Sequence, residues 1–207
     1  MTHANTLSSD LAYVRDLAEA GQNAPLLGGR FLAWWGGLMT FAYLGHYLIA
    51  TGAAGVGMET LWIWWVGITS LGLAGQFLMQ KLFPAKPGAS SPGNRVQSVL
   101  WMNAGFALFA YFAGVFGRVL AFGEGIEGFY WSVPMVIGLY GLGQLVTGLI
   151  AGQAALRFAG FAALTGSAAA GLLSGSEYVW LVGAAVAFLA VFAPGVWMLR
   201  REPATTV

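Results

Sequence analysis

Charged residues cut this chain into long uncharged intervals, and the intervals leave little choice of fold. They run over 31–58, 60–80, 96–117, 128–156, 158–176 and 178–199. Each can cross a hydrocarbon layer roughly 30 Å thick, which takes about 20 helical residues. Lipid offers backbone N–H and C=O groups no partner, so a crossing segment must satisfy its own as a helix or join a closed barrel. The intervals lack the alternation of barrel strands. The expectation is therefore an all-α polytopic membrane protein. Its six transmembrane helices are expected over about 31–52, 60–80, 98–121, 129–150, 154–173 and 178–199, arranged as three helical hairpins.

Composition agrees. Only 8% of the 207 residues are charged, against roughly 25% in a soluble domain. Such a chain could not cover its surface in water, so the lipid bilayer is its solvent. A net charge of +1 with no basic block argues against nucleic acid. The absence of Cys excludes disulfides, thiolate catalysis and Cys-ligated metals.

The chain divides into an N-terminal segment over 1–29, a membrane domain over 30–200 and a tail over 201–207. The first segment is polar or mixed, unlike a secretory leader. Within it, residues 8–20 predict an amphipathic helix with Leu11, Val14 and Ala18 on one face. Ser8, Ser9 or Asp10 can cap that helix. It is either packed on the protein's own loops or a docking surface for a protein partner. The stretch 82–97, rich in Pro, Gly and Ser, is expected to be a mobile linker.

Lys and Arg set the orientation. Arg15, Arg30, Lys81, Lys86, Arg95, Arg157, Arg200 and Arg201 all fall on one side if there are six crossings. The other side collects Glu59, Glu124, Glu127 and Glu177, with Arg118 as its lone cation. Both termini are thus expected in the cytoplasm, with the protein in the cell membrane, as in a bacterial inner membrane. Trp34, Trp35, Trp62, Trp131, Trp180 and Trp197 fall where interfacial anchors belong, while Trp64, Trp65 and Trp101 lie deeper.

The first two hairpins share more than this rule requires. Gln76 in GLAGQFL and Gln144 in GLGQLV stand at the same distance from Glu59 and Glu127, which suggests a parallel repeat. Asn103 falls at a similar depth. Three amides at one level could bond across helices as structural glue, or line a polar site. His46, the lone histidine within a span, lies near the level of the external charges Glu59, Arg118, Glu124 and Glu127. It could relay protons or be structural. With no set of ligands on any span, neither a metal nor another cofactor is expected.

Small residues at four-residue spacing, Gln144–Gly148–Gly152 and Ala159–Ala163–Ser167–Gly171, predict that the fourth and fifth spans pack on each other. One of these ridges could instead face a second subunit in an oligomer. Pro194 should kink the last span. The best functional expectation is a non-catalytic subunit, scaffold or regulator that contacts partner proteins in the membrane. The alternative is a small transporter or channel with a polar site among Gln76, Asn103, Gln144 or around His46. No nucleophile or acid–base constellation recommends an enzyme.

Overall fold

The computed structural model describes residues 10–16, 24–84, 86–123 and 127–203. Among them the secondary structure is helical, with no strand. Helix α1 covers residues 10–16, all of them exposed; the rest of the predicted 8–20 helix lies outside the described residues. Then come α2 (Gly29–Ala50), a 3₁₀ turn (Met58–Thr60), α3 (Leu61–Leu82), α4 (Pro92–Phe122) and the short α5 (Glu127–Tyr130). They are followed by α6 (Ser132–Ile150), α7 (Ala154–Leu172) and α8 (Tyr178–Val186). The last helix continues through a π segment (Ala187–Phe192) into α9 (Ala193–Leu199).

Five helical stretches are long and apolar enough to cross a membrane: Met58–Leu82, Pro92–Phe122, Glu127–Ile150, Ala154–Leu172 and Tyr178–Leu199. Helix α2 is as long as α3, at 22 residues, but its Arg, His, Gly, Trp and Tyr residues dilute its apolar character. It nevertheless lies at the centre of the fold, packed on α8, the π segment, α9 and α3. One face of α2 is covered by these helices, while Phe41, Leu44 and Leu48 are exposed on the other.

Close backbone approach builds this centre. A Cβ on Gly195 would run into the backbone of Leu32 and Ala33, and one on Gly36 into the backbone at Phe192. Tyr43, Val133, Ile137, Ala170, Val179, Trp180, Ala184 and Ala187 form one buried cluster where α2, α6, α7 and α8 meet. The most extensive pairing is α6 with α7, as expected, and of the predicted ridges Gly148, against the Arg157 backbone, and Ser167 lie in it. Gly141 and Gly160 meet backbone to backbone, and Ser167 Oγ donates to the Pro134 carbonyl at 2.7 Å. Gln144 leaves this seam, Gly171 faces open space, and Gly152 makes the turn at φ +63.

The stretch 82–97 is not the free linker its composition suggests. Ser91 and Pro92 are a helix start: the Ser91 hydroxyl accepts from Asn94 N, and a proline at the first helical position gives up an N–H that had no partner anyway. The Asn94 amide then bonds Leu27 N, the Pro25 carbonyl and the Gly88 carbonyl. Glu202, placed in the tail by the sequence, is likewise fastened. Its buried carboxylate takes Lys86 Nζ at 2.8 Å on one oxygen and Gly29 N at 3.1 Å on the other.

Candidate functional site

The polar side chains within the helices form several separate sites. The first is a run of indoles that laces α2 to α3. Trp34 Nε1 donates to the Gly72 carbonyl at 3.1 Å, and Trp35 Nε1 to Gln76 Oε1 at 2.6 Å. From the other helix, Trp64 Nε1 donates to the Ala42 carbonyl at 3.0 Å and Trp65 Nε1 to His46 Nδ1 at 2.9 Å. Glycines make room: Gly72, Gly75 and Gly45 lie under the rings of Trp35, Trp34 and Trp64. Trp34 and Trp35 therefore tie helices together and are not simple interfacial anchors. Trp62 and Trp131, exposed, fit the anchoring role, whereas Trp180 is core.

His46 is 7% exposed and sits in an aromatic nest. Its ring stacks on Trp180 with centroids 3.4 Å apart and planes 18° apart, and Trp65 stands edge-on to it. Because Nδ1 accepts the Trp65 proton, the ring is a neutral imidazole protonated at Nε2. Its hydrogen-bond partner is an indole and not a carboxylate. Glu59 and Glu127 are both exposed, on the 3₁₀ turn and on α5, and Glu59 folds back beside Gly57. Arg118 is exposed on α4, and Glu124 lies outside the described residues.

The three amides do not meet. Gln76 is held by Trp35 on the α2 side of α3. Asn103 is exposed on α4 and donates back to its own helix, to the Val99 carbonyl at 2.8 Å. Gln144, fully buried, donates to the Ala190 carbonyl at 3.0 Å. The glycines before the two glutamines do share a setting, however. The Trp34 ring lies over Gly75 and the Trp101 ring over Gly143, so each hairpin packs a Trp of its first helix on the Gly before its Gln.

Sequence reasoning missed a second set of buried polar groups. Gln97, Asn94, Ser91 and Thr147 are buried, and Asn94 is the anchor of the chain before α2. The only sequence signal was the serine–proline helix start. Among the described residues, Gln97 Nε2, Trp101 Nε1, Gln144 Oε1, Thr147 Oγ1, Gln153 Oε1 and Trp180 Nε1 are fully buried without a hydrogen-bond partner. Also among the described residues, no three His, Cys, Asp or Glu side chains gather as a metal site. Two shallow concavities lie along the last helix, beside Phe188 and Trp197, and neither is lined by Gln76, Asn103, Gln144 or His46.

No protein-family model matches the chain, and no curated protein or solved structure matches it either.

Proposed function

We propose that this protein is a non-catalytic subunit or scaffold of the cell membrane, with six crossings and both termini in the cytoplasm. The observation that carries the functional part is the state of α4. This apolar helix of 31 residues buries only Asn94 and Gln97, near its start. Its line of Asn103, Ala107, Ala110, Gly114, Gly117 and Ala121 is exposed throughout, at the alternating spacing of four and three that faces a helix partner. Small side chains along such a line let a second backbone come close, and an amide on it can bond across the interface. Meanwhile His46, Gln76 and Gln144 are committed to bonds inside the protein, which favours this reading over a transporter.

Glu202 supports the six crossings. It bonds both the start of α2 and Lys86 in the α3–α4 connection, so those points share one end of the bundle. Two helices, α2 and α3, separate them. Helix α2 then leaves that end and α3 returns to it, and four further crossings bring the chain back to Glu202. That end also carries Arg30, Lys81, Arg95 and Arg157, which makes it the cytoplasmic one.

The lack of native cysteine allows single-cysteine crosslinking in membranes of the source cell. Cysteines at Ala107, Ala110 and Gly114 should crosslink to one defined protein, with Phe109, on another face, as control. Crosslinks of equal yield at all four positions, or to lipid alone, would remove the scaffold reading.

A further inference from the structure

Four of the buried unpartnered atoms sit on two helices, α4 and α6, that pack on each other. Gln97 and Trp101 are one turn apart on α4; Gln144 and Thr147 are one turn apart on α6. The Trp101 ring lies over Gly143, the residue before Gln144, and against Tyr140 at 5.8 Å between centroids. Gln97 packs its amide against Gly28, at the start of α2. The side chains of Gln97, Gln144 and Thr147 are each at least nine-tenths buried, at 4%, 0% and 3% exposed. All four lie in the half of the bundle that carries Lys86 and Glu202.

The set is chemically complementary. Gln97 Nε2 and Trp101 Nε1 are donors, Gln144 Oε1 is an acceptor, and the Thr147 hydroxyl is both. None carries a charge. Buried polar groups in folded proteins are almost all hydrogen-bonded, by protein or by ordered water. A buried water makes about three hydrogen bonds to such groups. A mixture of donors and acceptors with no formal charge suits water and does not suit an apolar ligand.

We propose that α4 and α6 enclose an internal hydration site, in which ordered water joins Gln97, Trp101, Gln144 and Thr147. The site gives α4, loosely packed elsewhere, a hydrogen-bonded attachment to α6 that side chains alone do not make. The proposal stands apart from the scaffold reading, because it concerns the covered face of α4 and not its exposed line.

The test is solid-state NMR on the full chain in lipid bilayers with ¹⁵N-labelled indoles. Trp101→Phe identifies the Trp101 resonance, and Trp64, whose indole is bonded to the Ala42 carbonyl, is the protected reference. Water-to-protein transfer should reach the Trp101 indole, and its deuterium exchange should be about tenfold faster than that of Trp64. Thr147→Val should lower the melting temperature, because it removes a water ligand, while Thr147→Ser should leave it near that of the parent. An indole as protected as that of Trp64 overturns the proposal. So does a rise in melting temperature on Thr147→Val, the result for a dry and unbonded hydroxyl.

Discussion

Gln144 supplies the hydrogen bond that Pro194 cannot. A proline has no N–H to give to the carbonyl four residues back, which here is that of Ala190. Gln144, from the neighbouring helix, points its Nε2 at that carbonyl from 3.0 Å. Both Gln144 and Ala190 are fully or nearly fully buried, at 0% and 1% exposed. A buried carbonyl without its helical donor needs another one, and a neighbouring side chain supplies it. The helix adapts around the gap with the π segment Ala187–Phe192, directly before α9 and its proline.

This relationship predicts a coupling. Gln144→Leu should lower stability by about 1–3 kcal/mol, the cost of a buried carbonyl left unbonded. Pro194→Ala restores an N–H that can reach Ala190, so Gln144→Leu should cost about 1 kcal/mol less in that background. Denaturant or thermal unfolding in detergent measures the double-mutant cycle. Additive effects would show that the amide and the proline act independently.

His46 predicts a graded series. His46→Phe keeps a ring on Trp180 but removes the acceptor for Trp65 Nε1, a loss of about 1 kcal/mol. His46→Ala removes the stack as well and opens a cavity, so its cost should reach about 2–4 kcal/mol. Tryptophan fluorescence should shift to the red with His46→Ala and much less with His46→Phe. Equal losses from the two substitutions would mean that the stacking between His46 and Trp180 contributes nothing.

The uncharged intervals made the helices legible, because lipid leaves no other use for them, and their ends came within a few residues for most. The Ser91–Pro92 start resembles a linker in sequence because proline and serine mark both loops and helix N-termini; what separates them is the buried Asn94 network, which is long-range. The fate of the amides was illegible for a similar reason. Depth could be counted along each helix, but rotation about the axis depends on neighbours, and rotation sends Asn103 outward and Gln144 toward Ala190. The shared glycine–glutamine context of the first two hairpins did carry meaning. It marks where a Trp ring lies on the glycine, although the glutamines themselves take different partners.

Glycines should divide sharply by position. Gly195 lies against the backbone of Leu32 and Ala33, so Gly195→Val must force α2 and α9 apart. An overpacked contact of this kind costs about 1–3 kcal/mol or more where backbone is the obstacle, and the folded yield should fall. Gly117 on α4 meets nothing within 4 Å, so Gly117→Val should leave the melting temperature unchanged. If α4 docks a partner helix along its small residues, the same variant should still lose the crosslink at Ala110. Detergent melting curves and crosslinking yields separate the two effects.

The Glu202 carboxylate predicts both an energy and a topology. Its side chain is 0% exposed and that of Lys86 is 19% exposed, so the pair is shielded but not sealed. Removing one member of a buried pair costs about 3–5 kcal/mol, and the partial exposure of Lys86 lowers the expected loss for Glu202→Ala to about 1–3 kcal/mol. Glu202→Gln retains a group that can accept from Gly29 N and should lose less. Because the pair joins the α3–α4 connection to the end of α9, reporters fused after Gly88 and after Glu202 must read the same compartment. Under the positive-inside rule that compartment is the cytoplasm, while a fusion after Gly55, between α2 and α3, should read the opposite side. A cytoplasmic signal at all three sites would leave α2 and α3 on one face of the membrane and would remove the six-crossing arrangement.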